Sequence, residues 1–330
     1  MSTPTLSDVA ARARVSTAAA SLALNGKPGV SESTRERVFG AAKHLGYRPN
    51  PVGRALRQAR IGSIGLYLPG TAGQFSYYAE VTNGITEVLH RKGTSLLFLP
   101  NSANGLQIER APLLDGYILI EPHSDDPGVA EILAQDLPVV TGDRPTRGVG
   151  EPWGIVESPT RKLTRDSLEH LRERGSKRPG ILVIERVSEW TLDLEQHYLE
   201  WCAEHRITPR IATVSINDSN DELVAALAPF FTAESGCDGL FTAGDGIAAR
   251  IAGILRTLGK TIGKDVKLVS GVDSDLMSFH TPSITAIDLQ PRLFGRTCAE
   301  LMLELLDGSH RPAKPERRLV PAPLIARDST

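Results

Sequence analysis

A short stretch at residues 16 to 26, STAAASLALNG, carries no charge, although the segments around it are rich in arginine. Small side chains let a helix approach another surface closely. Methyl groups such as those of Thr17 and Ala18, with Leu22 beside them, are suited to contacts with thymine methyls in the major groove of DNA. The stretch is therefore a candidate reading surface for DNA.

A second candidate is Leu56, which lies between Arg54 and Arg57. An apolar wedge between base steps unstacks and bends DNA, and neighbouring arginines can enter the narrowed minor groove or pair with phosphates. The segment from Val52 to Arg60 could become helical once its charges are neutralised. The alternative is an ordinary linker helix on which Leu56 is a packing residue.

Three short helices are predicted around the uncharged stretch. Apolar or small residues recur at i, i+3, i+4 and i+7 from Leu6 to Ala13, which is the pattern of a helix with one buried face. Ser16 can cap a second helix, which ends at Asn25-Gly26. Ser31 opens a third that runs to about Leu45. Two short helices joined by a tight turn in a basic segment make a helix-turn-helix.

The charge of the chain is divided unevenly. Residues 1 to 60 hold 10 basic and 3 acidic side chains, net +7, so the remaining 270 residues hold 27 basic and 36 acidic ones, net −9. A compact basic segment on an acidic remainder indicates a polyanion-binding module, and a merely solvated basic face is the alternative.

The N-terminal segment resembles the DNA-binding headpiece of the lactose-repressor (LacI) family of transcription regulators. The resemblance rests on TLSDVAARARVSTAAASLALNG, VSESTRERV, LGYRPN and the segment ALRQAR. It implies that one set of residues faces the major groove: Ser16, Thr17, Ala18, Ser21, Leu22 and Asn25. It implies that a second set holds phosphates or sugar edges: Thr5, Leu6, Ser31, Thr34, Tyr47 and Asn50. Leu56 matches the hinge leucine that family members insert into the minor groove, with Arg54 and Arg57 beside it.

Beyond Ile61, short apolar runs alternate with amphipathic segments, which is typical of parallel sheets covered by helices. The predicted strands are Ser63–Leu68, Ser95–Leu99, Gly116–Ile120, Pro138–Val140, Gly180–Ile184, Ile211–Ser215, Gly239–Thr242, Lys267–Val272 and Ile284–Ile287. The predicted helices are Tyr78–Arg91, Arg161–Arg174, Leu192–His205, Glu222–Phe231, Asp245–Leu258 and Pro291–Leu306. No GxGxxG follows the first strand, and neither GxxxxGK[ST] nor GxSxG occurs.

This part of the chain resembles the effector-binding part of the same family, through CDGLFTAGDGIAARIAGIL, VKLVSGVDSD and the final LIARDST. The resemblance implies an all-α helix-turn-helix headpiece at 1–50, a hinge at 51–61, and an α/β two-lobed periplasmic-binding-protein-like effector domain at 62–330. Lobe 1 is expected at 62–157 and 290–321, and lobe 2 at 158–289. The ligand cleft is expected between the lobes, at the carboxyl ends of strands.

Candidate effector residues follow from the same resemblance. SYYAE places Tyr77 and Tyr78 at the cleft, where an aromatic ring can stack on a ligand. Asp273 matches an aspartate that accepts hydrogen bonds from ligand hydroxyls in sugar-responsive members. Asp245 matches another family aspartate, and a helix N-cap is its alternative role.

The sequence departs from the family pattern at several positions, three of which bear on the DNA-binding and effector residues. Arg14 occupies the turn position where the family has glycine, so that turn either holds a strained side chain or is shaped differently. Leu22 stands where many members carry a guanine-reading arginine. Leu194 stands where members carry a ligand-gripping arginine, with Asp193 and Trp190 nearby. Leu194, Asp193 and Trp190 are candidate effector contacts, and this departure favours an apolar or cationic effector, or a very different binding pose of the ligand.

Several function classes lack support in the sequence. Cys202, Cys237 and Cys298 lie far apart without a CxxC pair, which favours reduced buried thiols over disulfides or zinc. None of the histidines pairs with a Ser, Cys or carboxylate in a recognisable catalytic motif, so no enzymatic activity is expected. No signal peptide opens the chain and no apolar run approaches the roughly 18 residues of a membrane span. We expect a cytoplasmic, nucleoid-associated protein without cofactor, metal or membrane partner.

The sequence predicts a transcription regulator, acting as a repressor, that binds a pseudo-palindromic operator in double-stranded DNA as a homodimer. A small-molecule effector, a sugar or another metabolite, gates it from the cleft. The alternative is a solute-binding protein or an enzyme on the same α/β body. The basic helix-turn-helix segment favours the regulator.

Overall fold

The computed structural model describes residues 4–24, 26, 28–47, 60–101, 105–106, 113–185, 187–308 and 310–330. The chain divides into two units, which are Met1–Gly62 and Ser63–Thr330 and which we call the head and the body. The hinge predicted at 51–61 lies almost entirely outside the described residues, and its structure stays a prediction.

The head contains three helices, which are α1 Leu6–Ala13, α2 Thr17–Leu24 and α3 Glu32–Leu45. Their bounds confirm the three predicted helices. Their apolar faces meet in a small core that includes Val9, Ala20 and Val38, none of which is exposed. Because alanine and valine dominate this core, the helices pack closely but bury little apolar surface.

Strands and helices alternate throughout the body. The strands are β1 Ser63–Tyr67, β2 Ser95–Phe98, β3 Gly116–Ile120, β4 Val139–Gly142, β5 Gly154–Glu157, β6 Pro179–Ile184, β7 Ile211–Val214, β8 Gly239–Thr242, β9 Lys267–Ser270, β10 Thr285–Ile287, β11 Glu316–Leu319 and β12 Leu324–Ile325. The helices are α4 Ser76–Arg91, α5 Pro127–Leu133, α6 Thr160–Glu173, α7 Glu189–His205, α8 Asn220–Leu227, α9 Ile247–Thr257, α10 Asp275–Phe279 and α11 Pro291–Asp307, with 3₁₀ segments at Ala72–Gln74 and Ala228–Phe231.

The strands form two six-stranded sheets. Sheet 1 has the order β11-β5-β4-β3-β1-β2, and its neighbouring strands are parallel. Sheet 2 has the order β12-β10-β9-β8-β6-β7 and is parallel except for the pairing of β12 with β10. Strands β11 and β12 complete the two sheets from the C-terminal part of the chain, so the chain passes between the sheets three times.

Helices α4 and α11 cross in close contact beside sheet 1. A Cβ atom on Gly84 would lie 2.1 Å from the carbonyl oxygen of Arg292, and one on Gly295 would lie 2.0 Å from that of Val81. Only glycine fits at these two positions, because either distance is far below van der Waals contact. The crossing therefore fixes α4, and with it the aromatic residues of its first turn, against the core of sheet 1.

The nine predicted strands are all present, each within two residues of its predicted bounds. Strands β5, β11 and β12 and helices α5 and α10 are not among the elements predicted from the sequence. Strand β11 reads ERRL and is mostly exposed, so it has no hydrophobic pattern to find. Helix α5 begins with Pro-Gly, which in a sequence indicates a turn.

Two further predictions concern the body. The three cysteines are free and buried, which confirms them as unpaired thiols. Within the described ranges, no helix is both long enough and apolar enough to cross a bilayer.

Candidate functional site

The exposed face of α2 carries the predicted reading residues. Ala20 and Ala23, on its other face, are fully buried in the core of the head. The hydroxyl of Ser16 accepts a hydrogen bond from the backbone nitrogen of Ala19 at 3.1 Å, which confirms Ser16 as the cap of this helix. The described members of the predicted reading set are exposed or half-buried: Ser16, Thr17, Ala18, Ser21 and Leu22.

The turn between α1 and α2 is closed by Arg14 in the left-handed conformation, with φ 56° and ψ 48°. Its backbone nitrogen donates to the carbonyls of Ala10 and Ala11. Of the two alternatives for this turn, the structure therefore has a side chain held in a strained conformation rather than a differently shaped turn.

Several predicted phosphate contacts lie at helix N-termini, where free backbone N–H groups favour anions. Thr5 caps α1, and Ser31 caps α3 by accepting from the backbone nitrogen of Thr34 at 3.3 Å. Leu6 and Tyr47 are half-buried against the core of the head. The remaining predicted DNA contacts lie outside the described residues: Asn25, Asn50, Arg54, Leu56 and Arg57.

In the body, a cavity of about 200 Å³ lies where strands of both sheets end. Glu121 directly follows β3, Asp143 follows β4, and Ser158 follows β5 in sheet 1. Glu185 directly follows β6, and Asp245 comes shortly after β8 in sheet 2. The carboxyl ends of parallel strands are the usual place for a ligand in an α/β protein.

Aromatic side chains form one wall of this cavity. Tyr77 and Tyr78, from the first turn of α4, meet edge to face with their ring centroids 5.3 Å apart. The ring centroid of Phe75 lies 6.3 Å from that of Tyr78, and Trp190 of α7 also lines the cavity. Burial raises the pKa of both tyrosines well above its ordinary value, and nearby carboxylates raise it further, so both phenols stay protonated.

Glu121 lies within a hydrogen-bonded group. The hydroxyl of Tyr78 donates to Glu121, and the Nε2 atom of His123 lies 3.8 Å from its other oxygen. Burial pushes the pKa of Glu121 upward, but His123, Tyr78 and Ser188 more than offset this, so the pKa is lowered. Burial likewise pushes the pKa of His123 down, and Glu121 raises it overall. Both pKa shifts therefore favour the charged forms, a carboxylate at Glu121 and an imidazolium at His123.

Asp143 differs from Glu121 in its surroundings. Its carboxyl accepts no hydrogen bond from the part of the chain that the structure describes, although its backbone nitrogen donates to Val156. Burial raises the pKa of Asp143 well above its ordinary value, and the nearby carboxylates of Glu121 and Glu157 add to the shift. Among the described residues, no cluster of three or more His, Cys, Asp or Glu could hold a metal ion.

Glu121 and Asp143 both have left-handed backbones, with φ of 49° and 70°. Such conformations cost about 1 to 3 kcal/mol each in non-glycine residues and gather at functional sites. In this cavity they turn the chain at the end of a strand so that the carboxyl group faces the cavity.

Asp245 ties the two sides of the cavity together. It follows β8 of sheet 2, yet its carboxylate accepts from the backbone nitrogen of Tyr77 at 3.2 Å and from the hydroxyl of Ser76 at 3.2 Å. It therefore caps α4, which packs on sheet 1, whereas Gly246 is the N-cap of the helix that follows Asp245. The predicted role as N-cap of the following helix is therefore wrong, because the Asp245 carboxylate caps α4 on the opposite side of the cavity instead.

A second tie joins Arg144 to Asp193 of α7. Arg144 also lies 3.2 Å from Glu157 at the end of β5. Asp193, predicted as an effector contact, thus has an arginine partner from the sheet 1 side. Burial opposes the charge of Arg144, but Asp193 and Glu157 raise its pKa overall.

Two other predicted effector residues lie away from the cavity wall. Leu194 has no exposed surface and packs in the core beside sheet 2. Asp273 is held by Arg327, whose two terminal nitrogens lie 2.8 and 2.7 Å from its carboxylate oxygens. Asp273 borders a neighbouring hollow that it shares with Tyr77 and Asp245. Ligand contact by these residues stays a prediction.

The structure thus brings together Tyr77, Tyr78, Trp190 and Asp245 from the predicted effector set. Glu121, His123 and Asp143 also line the cavity but are not among the predicted effector residues. A signal was present, because Glu121 directly follows the predicted strand Gly116–Ile120 and Asp143 lies three residues after the predicted strand Pro138–Val140, and strand ends are where α/β proteins bind ligands.

The head and the C-terminal part of the body each match a family of known proteins. Residues 5–50 match the family described as bacterial regulatory proteins, lacI family. Residues 168–330 match the periplasmic binding protein-like domain. The chain belongs to the LacI family of transcription regulators. In this LacI-family protein the helix-turn-helix is the DNA-binding part, and the α/β body is the effector-binding part.

Similar LacI-family proteins match along nearly the whole chain. The HTH-type transcriptional regulator CelR of Thermobifida fusca is 28% identical, over 99% of this chain and 98% of its own. The ribose operon repressor of Halalkalibacterium halodurans is 26% identical, over 99% and 97%. These relatives are named as regulators of transcription rather than enzymes.

Solved structures show the same architecture. A complex of the transcriptional regulator CelR with cellobiose matches with a TM-score of 0.72 and 25% identity, over 99% of this chain and 100% of that one. A lac repressor dimer bound to operator and the anti-inducer ONPF matches with a TM-score of 0.78 and 22% identity, over 99% of each chain. The second likeness concerns the fold alone.

Proposed function

We propose that this LacI-family regulator is a repressor that binds a pseudo-palindromic operator as a homodimer and is gated by a small molecule in the body cavity. The observation that supports this most directly is the union, in one chain, of a helix-turn-helix with a cavity between two sheets that is tied across by Asp245 and Arg144. The cytoplasm, where the operator is, is the proposed location.

In the proposed complex, α2 lies in the major groove and reads bases through Thr17, Ala18 and Ser21, with Ser16, Leu22 and Asn25 beside them. Phosphate contacts come from Thr5, Leu6, Ser31, Thr34, Tyr47 and Asn50, which position the head without reading sequence. Leu56 enters the minor groove at the operator centre, flanked by Arg54 and Arg57.

Gating follows from the position of the cavity. A ligand that contacts both walls favours one arrangement of the two sheets over another, because it binds that arrangement more tightly. The same arrangement decides whether Asp245 still caps α4 and whether Arg144 still meets Asp193. Ligand binding and operator binding are thereby coupled, and the coupling is reciprocal.

The effector is a sugar or another small metabolite, by analogy with CelR, which is solved with cellobiose, and with the ribose operon repressor. In the proposed site it contacts Tyr77, Tyr78 and Trp190. Either sign of response, induction or corepression, is compatible with this coupling.

Fluorescence anisotropy tests the DNA-binding part of the proposal, with the full chain, a labelled fragment of its own promoter and a random duplex at one fixed salt concentration. We expect the promoter fragment to bind at least 100-fold more tightly. Thr17→Ala should weaken promoter binding about tenfold and leave random binding unchanged, since one base contact contributes about 1 to 3 kcal/mol. Thr257→Ala, an exposed threonine in the body, is the matched control. Equal affinity for the promoter fragment and the random duplex would refute the proposed repressor function.

The wedge is tested separately. Leu56→Ala should weaken specific binding far more than random binding, because only a bent specific complex admits the leucine. Equal losses on both duplexes would show that Leu56 is a packing residue.

A further inference from the structure

The described residues that line the cavity carry charge of almost one sign. Their acidic side chains are Glu121, Asp125, Asp143, Glu185 and Asp245, and their one basic side chain is His123. Neither lysine nor arginine is among them. Because charges inside a cavity with low-dielectric walls are weakly screened, ionised carboxyl groups among these residues favour a cationic ligand over an anionic one.

The two carboxyl groups after β3 and β4 have unequal partners. Glu121 accepts from Tyr78 and lies beside His123, so its charge is compensated. Asp143 faces the cavity without a hydrogen-bond donor among the described residues. The left-handed backbone at Asp143, with φ 70°, holds it there. Asp143 is half-buried, and a carboxyl group that is withdrawn from water without a donor is costly unless a ligand supplies one.

The aromatic wall is suited to the same kind of ligand. Tyr77 and Tyr78 stand edge to face at 5.3 Å, and Phe75 and Trp190 line the same cavity. The faces of aromatic rings attract organic cations, most strongly where water is excluded. Carboxyl groups beside aromatic rings are a recognised arrangement for binding ammonium and guanidinium compounds.

We propose that the effector is a small organic cation whose ammonium or guanidinium group binds Asp143 and Glu121 while its carbon frame packs against Tyr77, Tyr78 and Trp190. The proposal deepens, and rests on, the proposed gating by a ligand in this cavity. An amino sugar and a short diamine both have this chemistry.

Proton release should accompany binding. The charged and titratable groups around Asp143 come from several elements: Glu121, Glu157, Asp193, Arg144, Tyr77 and Cys298. Burial and the acidic members of this set raise the pKa of Asp143, so it keeps its proton to higher pH than an ordinary aspartate, and a bound cation favours the ionised carboxylate and displaces that proton. Affinity for the cation should therefore increase as the pH rises through the raised pKa.

The test uses the full chain and matched probes that differ in charge. Thermal shift compares glucosamine, glucose and glucuronate, and then putrescine, butane-1,4-diol and succinate, since a bound ligand raises the unfolding temperature. We expect the amines to raise it and the neutral and acidic members to leave it unchanged. Stronger stabilisation by the neutral or acidic members, or no stabilisation by any amine in a wider amine set, would overturn the proposal.

Calorimetry on the best amine then locates the site. Asp143→Asn and Glu121→Gln should each weaken binding of the amine at least tenfold. Proton release makes the measured binding heat depend on the ionisation enthalpy of the buffer, and Asp143→Asn should abolish this dependence. The control variants are Asp136→Asn and Glu234→Gln, which change exposed carboxylates. Unchanged binding in both cavity variants would place the amine elsewhere and refute the proposal.

The two proposals fail in different ways. If an amine binds in the cavity but does not change operator affinity, the proposed gating is refuted and the proposed class of ligand is supported. If operator affinity changes only with a neutral or acidic compound, the proposed gating is supported and the proposed class of ligand is refuted.

Discussion

The carboxylate of Asp245 lies 3.2 Å from the backbone nitrogen of Tyr77, so a residue that follows a strand of sheet 2 caps a helix on sheet 1. The helix N-terminus carries partial positive charge and unpaired N–H groups, and Asp245 satisfies both needs. The same helix turn presents Tyr77 and Tyr78 to the cavity. Whether Asp245 makes this cap therefore depends on the arrangement of the two sheets, which is the arrangement that a ligand in the cavity would favour or disfavour.

Asp245→Ala should destabilise the arrangement in which the cap is made. Loss of an N-cap costs about 1 kcal/mol, which is about a fivefold change in an equilibrium constant. We expect effector affinity, measured by calorimetry, to fall about fivefold, because the competent arrangement is less populated. Ser219→Ala removes the cap of α8 and is the matched control, since it should lower stability without changing effector affinity. Identical effects of the two variants would make Asp245 a structural cap only.

Asp143→Asn should stabilise the ligand-free protein at neutral pH. The folded pKa of Asp143 is raised above 3.8, so the folded state binds more protons than the unfolded state, and stability falls as the pH rises from about 3.8 towards the folded pKa. Asparagine has no such penalty. We expect thermal unfolding at pH 7 to shift upward by about 2 to 4 °C.

The difference between wild type and Asp143→Asn should disappear below about pH 3, where the aspartate is protonated in both the folded and the unfolded state because the pH lies below its ordinary pKa of 3.8. Asp136→Asn, with an exposed side chain, should show no difference at either pH. A lower unfolding temperature for Asp143→Asn at pH 7 would contradict the raised pKa.

Gly295→Ala should destabilise the body by about 2 to 3 kcal/mol, because the new Cβ meets the Val81 carbonyl at 2.0 Å and the two helices must separate. Urea unfolding followed by tryptophan fluorescence measures this. Gly253→Ala, in α9, has no atom within 4 Å of the new Cβ and should be neutral or stabilising by up to about 1 kcal/mol. Equal stability of the two variants would refute the close crossing.

Arg14→Gly should stabilise the turn between α1 and α2. A left-handed conformation costs an ordinary residue about 1 to 2 kcal/mol, and glycine avoids this at the cost of about 0.5 to 1 kcal/mol of chain entropy. Hydrogen exchange at Val15, whose amide donates to Ala10 at 3.0 Å, should slow by a few-fold. The reverse change, Gly46→Arg at φ 63° after α3, should speed exchange there.

Much of this architecture could be predicted from the sequence, because fully buried strands such as β3 and β8 are short runs of mostly apolar residues. Strand β11, ERRL, could not, since its place in sheet 1 depends on pairing with β5 and not on burial. The left-handed backbones of Glu121 and Asp143 also leave no local pattern. The partners of Asp193 and Asp273 are Arg144 and Arg327, 49 and 54 residues distant along the chain, which no spacing rule anticipates.

The interleaving of the two sheets has a consequence for synthesis. Strand β5 offers its edge to β11, with Gly154 opposite Glu316, so sheet 1 is completed by residues made long after its other strands. At about 5 to 20 residues per second, translation of the residues between β5 and β11 takes about 8 to 32 seconds, during which β11 cannot cover that edge. An unpaired parallel edge invites aggregation. The nascent chain therefore exposes the edge of β5 until β11 leaves the ribosome.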